Sequence, residues 1–562
     1  MKKDKLIIGI LFLLFICLCA YPVFVNLGDL SARKWDESRN GINAMEMLSD
    51  HNYFVTQFNG VPDMWNTKPP LFIWSAALCM KFLGTTVLAL RLPSALSCLV
   101  IVIYAFWFFR RNYGLLIPGM LTGFVLVTSI GFMNYHVARN GDFDAMLSMW
   151  IFLYATQFFL YFEYGKQKHL WRASLFLGLA ILTKGIAGCL FLPGIFLFMC
   201  TRKQYFSALR RWSFYAVPLA GIALGVSYYL IRERLNPGYI HAVIENEFTG
   251  RYSATNEGHS GGISYYLDLW LDLRYRFWIW WLIPSMLIVF LRGAVELKRI
   301  MLFLVIQVLM YYVVLTVSKT KLPWYDAPFY AFFAMIIGLG VAQLLAETEK
   351  LIKNSPSLIR NCVFAIACAA LFIIPVTNLF GEKVSVSAKK ETSFPEQFYG
   401  DFISSVFGNY PRQKKLFIVS EDYNPHLLFY TFQKKYKDKV VVVPRSYRFT
   451  ENDTFMTCEP AMYPPADTTF AFDTIFHEDY FKYLIRVMSK EAYAVGQTER
   501  MVRTKIMEIE GNSDWAAAIR KKADEKHVPF EDQVGLDAIW SLKEAGRITP
   551  EESDRLSANY LH

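Results

Sequence analysis

The stretch LIIGILFLLFICLCAYPVFV, residues 6–25, contains no charged residue and directly follows the charged start MKKDK. An α-helix of about 20 apolar residues is long enough to cross the roughly 30 Å hydrocarbon layer of a membrane. The run is long for the apolar part of a secretory signal peptide, and no small-residue cleavage site closes it. We therefore expect a retained first transmembrane helix with a cytoplasmic N-terminus.

Similar apolar runs recur as far as about residue 380 of the 562. Apolar residues make up 54% of the chain and charged residues only 19%, whereas soluble domains carry about 25% charged residues. The sequence therefore predicts a mainly α-helical, polytopic transmembrane bundle of about 11–13 spans. The predicted spans are 6–26, 88–109, 115–133, 145–162, 170–184, 188–201, 213–231, 277–292, 300–317, 325–345 and 360–380.

The segment PPLFIWSAALCMKFLG, residues 69–84, is short for a span and begins with two prolines. It favours an interfacial helix in the first external loop. With this assignment, basic loops such as RRNYG, YGKQKHLWR and LRGAVELKR all fall on the cytoplasmic side. We expect a multi-pass protein of the bacterial inner (plasma) membrane.

The composition changes after about residue 385. Residues 414–424 and 437–446 predict short buried strands on either side of the helical segment PHLLFYTFQKKY, and residues 468–487 predict a strand followed by a helix. A helical tail follows, with Ser513 or Asp514 as a plausible N-cap. We predict a transmembrane domain over residues 1–382 and an external, periplasmic α/β domain with a helical tail over residues 383–562.

Several loops on the predicted external side carry cations against the positive-inside trend. Together with carboxylates in the same loops, they would suit a phosphate-bearing lipid at the membrane surface. Because Lys and Arg are scattered rather than gathered on one face, the net charge of +10 does not indicate a nucleic-acid partner. The external cations are Lys34, Arg39, Lys68, Arg139, Lys184, Arg251, Lys319 and Lys321, and the carboxylates are Asp36, Glu37, Asp142 and Asp144.

Asp36 and Glu37 form an acidic pair next to the first span. An acidic pair on a solvated loop is the simplest interpretation. A carboxylate that is partly desolvated beside the bilayer and held ionised by cations could instead act as a general base on an acceptor. Only one of two adjacent residues can face a given target, so the other would orient a cation or bind a metal.

The loop ARNGDFDAML repeats this arrangement at the start of another span. Asp142 could simply cap the helix, with Asp144 in its first turn, but Arg139 gives the loop a capacity to bind phosphate. Lys184 ends an apolar run and is followed by glycine, and an ionisable residue at that depth is a functional candidate.

Lys319, Lys321 and Tyr325 in SKTKLPWY match an ordinary membrane interface as well as a phosphate site. His259, in the glycine-rich segment NEGHSGG, fits no standard zinc spacing. We expect its loop to close on substrate. No metal-binding residue is assigned, although a divalent cation could take part.

Five motifs in register resemble the GT-C membrane glycosyltransferases, in the branch of the protein O-mannosyltransferases and the aminoarabinose transferase of lipid A. They cover roughly residues 6–345. The motifs are WDESRNG…EML with Asp36 and Glu37, KPPLF…LG…ALRLPSAL from Lys68 to Leu96, AR…GDFDAML with Asp144, LTKG with Lys184, and SKTKLPWY…P with Lys319, Lys321 and Tyr325.

The resemblance implies transfer of a sugar from a polyprenyl-phosphate-linked donor to a lipid A, protein or glycan acceptor at the periplasmic face. Asp36 would be the base or the group that orients the acceptor, and Asp144 the second-loop acid. Direct displacement would invert the anomeric centre. The lipid A branch has an acidic residue where this chain has Thr67, which removes a metal ligand or amino-sugar contact. The phosphate would be held by Lys68, Arg139, Lys319, Lys321 and Tyr325.

Two other classes of function stay open at this point. A transporter or flippase of lipid-linked sugars would place its charges near the bilayer midplane and often shows paired repeats, whereas here the charges gather at one face. A membrane-anchored receptor would leave the carboxylates of the external loops without a role.

Overall fold

The computed structural model describes residues 2–133, 136–247, 260–381, 396–411, 415–420, 425–433, 439–444, 446–458, 470–478 and 482–561. The chain forms two compact units. Unit 1 comprises Met1–Gly400 and Tyr423–Lys435, and unit 2 comprises Asp401–Asp422 and Tyr436–His562.

Unit 1 is helical, apart from a two-stranded antiparallel hairpin of β1 (Gln57–Phe58) and β2 (Val61–Pro62). Its helices up to residue 379 are α1 Lys2–Phe24, α2 Asp36–Asp50, α3 Leu71–Leu83, α4 Val87–Tyr113, α5 Ile117–Val127, α6 Phe143–Tyr164, α7 Gln167–Lys184, α8 Leu192–Met199, α9 Ser213–Leu235, α10 Tyr239–Val243, α11 Tyr265–Leu269, α12 Ile279–Arg292, α13 Val295–Val317, α14 Phe329–Ile352 and α15 Ser357–Leu379.

Eight helices of the described residues are long and apolar enough to cross a membrane, which confirms the polytopic bundle. The predicted spans 115–133, 188–201 and 277–292 fold as the shorter helices α5, α8 and α12. The predicted interfacial segment forms α3. The eight long helices are Leu6–Phe24, Val87–Tyr113, Phe143–Tyr164, Gln167–Cys189, Ser213–Leu235, Val295–Val317, Phe329–Ile352 and Ser357–Leu379.

Helix α6 is the centre of unit 1, since 94% of its most apolar stretch is buried, and it packs against α4, α7, α8 and α14. The side chain of Asp142 caps its start by accepting a hydrogen bond from the Phe143 backbone N–H. Gly165 ends it at φ 64°, a left-handed conformation that costs glycine little. Because α7 begins at Gln167, the start of α6 and the end of α7 meet at one end of the bundle.

Helices α7 and α9 approach each other closely through small residues. A Cβ atom on Gly178 would lie only 2.6 Å from the carbonyl oxygen of Gly221. Small residues at such a contact let two helix backbones pack directly. This packing fixes α7 and therefore the position of Lys184, its last residue.

Helix α2 lies in the first loop and is buried over most of its length. It packs against α3 and against the helix Pro425–Gln433, a later segment that belongs to unit 1. The Tyr430 hydroxyl accepts a hydrogen bond from the Ala32 backbone N–H at 2.7 Å, and Gln433 Nε2 donates to the Thr85 carbonyl at 2.6 Å. The first contact holds the chain just before Asp36 in place, and the second ties the same later segment to the chain just before α4.

Unit 2 contains a five-stranded mixed sheet of strand order β4-β3-β5-β7-β6. Strand β3 pairs in parallel with β4 and β5, whereas β7 pairs antiparallel with β5 and β6. The strands are β3 Leu416–Val419, β4 Val440–Val443, β5 Thr454–Thr457, β6 Phe470–Glu478 and β7 Lys482–Ser489. Residues 482–487 were expected to be helical, and that prediction is wrong: they form a strand because cross-strand pairing with β5 and β6 outweighs their helical pattern.

The tail of unit 2 consists of the helices Lys490–Gly511, Ser513–Lys526, Phe530–Glu544 and Pro550–Ser557. A buried cluster that includes Ile509, Ile519 and Ile539 joins the first three. The helical tail was predicted, but its N-cap, expected at Ser513 or Asp514, was placed one or two residues too late. Asn512 is the cap, since its side chain accepts a hydrogen bond from the Trp515 backbone N–H at 3.0 Å.

Candidate active site

The acidic pair at the start of α2 splits into two different environments. Asp36 is partly exposed, whereas Glu37 is fully buried. The Glu37 carboxylate accepts hydrogen bonds from Arg91 Nε at 2.7 Å and Nη2 at 2.9 Å, and from the backbone N–H groups of Arg33 and Gly141. Burial favours the neutral acid, but Arg91 and these hydrogen bonds outweigh it and lower the pKa of Glu37. Glu37 therefore orients a buried cation.

Arg39 is also held in an ion pair. Its Nε and Nη2 donate to the Asp63 carboxylate at 2.8 and 2.6 Å, a bidentate geometry. Asp63 further accepts hydrogen bonds from the backbone N–H groups of Trp65 and Asn66. Burial alone would raise the pKa of Asp63, but Arg39 lowers it below its usual value. The pair ties α2 to the loop before α3.

Three further predicted phosphate ligands lie in different surroundings. Arg139 donates to the carbonyl oxygens of Pro22 at 2.8 Å and Asn26 at 3.2 Å, at the C-terminal end of α1. Lys321 is buried and donates to the Thr316 and Ser318 carbonyls at 3.0 and 2.7 Å. Lys319 is exposed. The phosphate role of these three residues stays a prediction.

Asp36, His136 and Asp142 come together from the first and second loops. One ligand atom from each residue lies within 4.8 Å of the others. His136 Nδ1 pairs with the Asp142 carboxylate, and the imidazole stacks on Trp324 with ring centroids 3.8 Å apart. His136 has φ 64°, an uncommon conformation for a residue with a side chain and one that recurs at functional sites.

These three residues also form a set that could hold a divalent cation. Two carboxylates and one imidazole are suitable ligands for zinc or manganese, and three protein ligands leave coordination positions open for a substrate oxygen. His136 was not singled out from the sequence, so this group was not anticipated.

Asp144 and Lys184 form the second part of the site. Lys184 Nζ donates to both Asp144 carboxylate oxygens at 2.6 and 2.8 Å, and both side chains are buried. The ammonium lies 5.4 Å from the centre of the Tyr325 ring, a cation–π distance. The structure thus brings together three predicted residues from three separate segments.

A cavity of about 370 Å³ opens beside Lys184. Its walls are mainly apolar side chains of α7, α9 and α10, including Ile181, Val226 and Val243. Lys68 and Lys184 supply its cationic groups. A smaller space of about 50 Å³ shares Lys184 and is lined by Asp144, Ser318 and Tyr325.

Glu247 is the carboxylate that lines both spaces. The Thr67 hydroxyl lies 3.4 Å from Glu247 Oε1, within hydrogen-bond distance. Thr67 stands where the resemblance led us to expect an acid, and a carboxylate from a distant segment lies beside it. This pairing was not predicted, because the two residues are far apart along the chain.

A further buried ion pair joins Arg274 to Asp326, with Nε 3.1 Å from Oδ2. The same oxygen accepts hydrogen bonds from Trp270 Nε1, at 3.2 Å, and from the Tyr330 hydroxyl. Burial raises the pKa of Asp326 to about 6 although Arg274 acts in the opposite direction. Asp326 directly follows Tyr325, so this pair anchors the segment that covers Lys184.

The sequence pattern indicated most residues of this candidate site but not the partners of its charged residues. Arg91 and Asp326 could have been noticed because each lies within or beside an apolar run, where an ionisable residue is unusual. Asp63, His136 and Glu247 carry no such signal. His259 lies outside the described residues.

The comparisons with known proteins agree with this architecture. The family model of dolichyl-phosphate-mannose-protein mannosyltransferases matches residues 67–229. An undecaprenyl phosphate-alpha-4-amino-4-deoxy-L-arabinose arabinosyl transferase from Shewanella sediminis is 26% identical over 66% of this chain and 67% of that protein. One from Aeromonas salmonicida is 27% identical over 62% of this chain and 63% of its own length. The matches thus span about two thirds of these relatives.

Solved structures show the same fold. The crystal structure of ArnT from Cupriavidus metallidurans bound to undecaprenyl phosphate superposes with a TM-score of 0.64 at 16% identity, over 84% of this chain and 97% of that chain. The crystal structure of the same protein in the apo state superposes with a TM-score of 0.62 at 16% identity, over 86% of this chain and 98% of that chain.

By fold and by sequence the chain is similar to membrane glycosyltransferases of the GT-C class, and the eight long apolar helices of its described residues are those of a multi-pass inner-membrane protein. Within that class the chain resembles the branch of the mannosyltransferase model and the aminoarabinosyl transferases, as its five motifs predicted.

Proposed function

We propose that the protein transfers a sugar from a polyprenyl-phosphate-linked donor to a lipid A, protein or glycan acceptor at the periplasmic face of the inner membrane. The names of the curated relatives support a donor of this kind. The cavity beside Lys184 is the observation that carries the proposal, because it combines long apolar walls with two lysines.

The two parts of the cavity match the two parts of the donor. Apolar side chains of α7 and α9 would contact the prenyl chain, which avoids water. Lys68 and Lys184 would neutralise the phosphate, since an ammonium near a phosphate oxygen forms a charge-assisted hydrogen bond. Asp144 and Tyr325 keep the Lys184 ammonium in position.

Asp36 is the residue we assign to activation of the acceptor. Its carboxylate is partly exposed and lies beside the His136–Asp142 pair, whereas Glu37 is committed to Arg91. A base that removes the acceptor proton contributes about 10²–10⁴-fold to a rate. Because the polyprenyl phosphate leaves without needing a proton, attack from the opposite face would invert the anomeric centre. A divalent cation held by Asp36, His136 and Asp142 would instead act as a Lewis acid on a substrate oxygen, with Asp36 as its ligand and not as the base.

The distribution of basic loops supports a site on the periplasmic side of the membrane. The residues of the site lie at helix ends opposite the loops rich in lysine and arginine, such as RRNYG and YGKQKHLWR. From the same distribution we infer a periplasmic location for residues 383–562.

A turnover assay tests the proposal. Purified protein would be given a polyprenyl-phosphate sugar and an acceptor, and release of free polyprenyl phosphate would be measured. We expect release by the native protein and a drop of about 10²–10⁴-fold for Asp36→Asn. Asp50→Asn, which makes the same change at the exposed far end of α2, is the matched control and should remain active.

Two results would contradict the proposal. Full turnover by Asp36→Asn would remove the assigned base. A donor lipid that crosses the bilayer intact, with no release of polyprenyl phosphate, would favour the flippase alternative.

A further inference from the structure

A second polar cavity lies at the opposite end of the same helices. It has a volume of about 420 Å³ and is lined by the ends of α4 and α6 and the start of α7. About 20–30 Å of helix α6 separates it from Asp144, since its α6 lining residues lie between Gln157 and Tyr164 and an α-helix rises 1.5 Å per residue. The transfer reaction assigns this cavity no role.

Four cations surround the cavity. Arg111 projects from the last turn of α4, and Lys166, Lys168 and Arg172 come from the start of α7. All four are exposed. The N-terminus of a helix already carries partial positive charge, and the first turn of α7 contains no acidic residue. The side-chain cations therefore lie at the positive end of the α7 dipole, where like charges repel. A bound anion would reduce this repulsion.

The wall between these cations is built from buried polar groups. His169 Nδ1 and Gln157 Oε1 lie 2.8 Å apart, and Gln157 Nε2 donates to the Tyr104 hydroxyl at 2.7 Å. His169 and Gln157 are 6% and 4% exposed. Thr156 Oγ1 is 2.9 Å from the same hydroxyl. A chain of hydrogen bonds fixes these side chains, so the cavity has a defined polar lining.

The positive-inside rule alone would account for basic residues at this end of the bundle. It does not require them to surround one cavity with a buried polar wall. Basic pockets between transmembrane helices on the cytoplasmic side are typical binding places for anionic lipid headgroups. Trp107 at the cavity is 46% exposed and is a residue type common at membrane interfaces.

We propose that this cavity binds a phosphate-bearing anion, with the headgroup of an anionic phospholipid as the expected source. The phosphate oxygens would lie among Arg111, Lys168 and Arg172, and the acyl chains would follow the apolar surface of α4. This proposal is independent of the donor site.

Lipid binding to the purified full-length protein tests it. Native mass spectrometry in detergent would follow titrations with dioctanoyl phosphatidylglycerol, dioctanoyl phosphatidylcholine and inorganic phosphate. We expect phosphatidylglycerol to bind more tightly than phosphatidylcholine. The double variant Lys168→Gln/Arg172→Gln should weaken that binding about tenfold or more, since it removes two charge-assisted hydrogen bonds. Arg111→Gln, on the other wall, should weaken it in the same direction.

The control replaces two exposed cations outside the cavity, as Lys203→Gln/Arg210→Gln. It should leave the affinity within about twofold of native, because only general surface attraction is changed. If inorganic phosphate binds and the cavity variants weaken that binding, a free anion is a sufficient ligand. If phosphatidylglycerol binds and inorganic phosphate does not, the ligand is the lipid. Equal affinity for the native protein and the double variant, or equal weakening by the control, would overturn the proposal.

Discussion

Two groups of charged residues in unit 1 contrast in what surrounds them. In the framework group, Glu37 pairs with Arg91 and Arg39 pairs with Asp63, and backbone N–H groups satisfy the remaining carboxylate lone pairs. In the cavity group, Asp144 pairs with Lys184, and Lys68 lies nearby. Each residue of the cavity group borders open space.

The contrast teaches that residue type and loop position do not distinguish scaffold from site. A buried carboxylate with every lone pair occupied holds elements together, and breaking its pair leaves an uncompensated charge. A pair beside a cavity can instead share its charge with a ligand. Substitutions in the framework group should therefore reduce stability, and those in the cavity group should reduce donor binding or turnover.

The largest effect is expected for Lys184→Gln. Loss of a preorganised cation should reduce turnover on the order of 10²–10³-fold, and the unpaired Asp144 should lower stability by about 3–5 kcal/mol. Turnover would be measured as polyprenyl phosphate release, and stability as thermal unfolding in detergent.

The double variant Asp144→Asn/Lys184→Gln separates these two losses. It should regain most of the stability, because no buried charge is left unpaired, while it stays inactive. A double variant that is stable and as active as the native protein would place Lys184 in the framework group.

The Glu37→Gln variant should show a smaller overall effect, and the opposite division between stability and turnover. It should lower stability by about 3–5 kcal/mol, because Arg91 loses its charged partner. Turnover per folded molecule should change little. Thermal unfolding and turnover would be measured on the same samples, with Asp50→Asn as the control on the same helix. A stable Glu37→Gln variant with a hundredfold loss of turnover would make Glu37 a catalytic group instead.

The smallest effect is the pH dependence of the Arg39–Asp63 pair. Arg39 lowers the pKa of Asp63 below its unfolded value of about 3.9. The Arg39–Asp63 pair therefore stabilises the folded protein fully at a pH above that unfolded value. This stabilisation is lost as the pH falls through the pKa of Asp63 in the folded protein. Asp63→Asn should be less stable than the native protein by about 2–3 kcal/mol at pH 7, and the difference should shrink below about pH 4. Unfolding at pH 7, 5 and 3.5 would check this, and a difference that grows at pH 3.5 would exclude the assigned pair.

The transmembrane part of the fold follows from hydropathy because apolar length alone decides whether a helix can cross a membrane. That signal located the eight long helices. Hydropathy carries less information about where a helix begins and ends. Helices α5 and α8 each have a proline in the first turn, and each is shorter than the apolar run that contains it. In unit 2 the sequence offers only local propensity as a guide to secondary structure. There the residues of β7 have a helical pattern, but they form a strand because they pair with the distant strand β5.

The sequence could predict which residues belong to the candidate site, but not which of them contact one another. Asp36, Asp144 and Lys184 stand out because a charge beside an apolar run is expensive unless it has a purpose. That Glu37 faces Arg91, or that Glu247 meets Thr67, depends on the packing of distant helices. A single sequence carries no information about such contacts.

The most direct test of the central claim is a binding titration of the native protein with undecaprenyl phosphate. The claim is that the lysines of the cavity beside α7 hold the lipid phosphate. Lys68→Gln should weaken binding about tenfold or more, because a charged hydrogen bond to phosphate is lost. Lys81→Gln, at an exposed position on α3, should bind as tightly as the native protein. Equal affinity of the native protein and Lys68→Gln would contradict the claim.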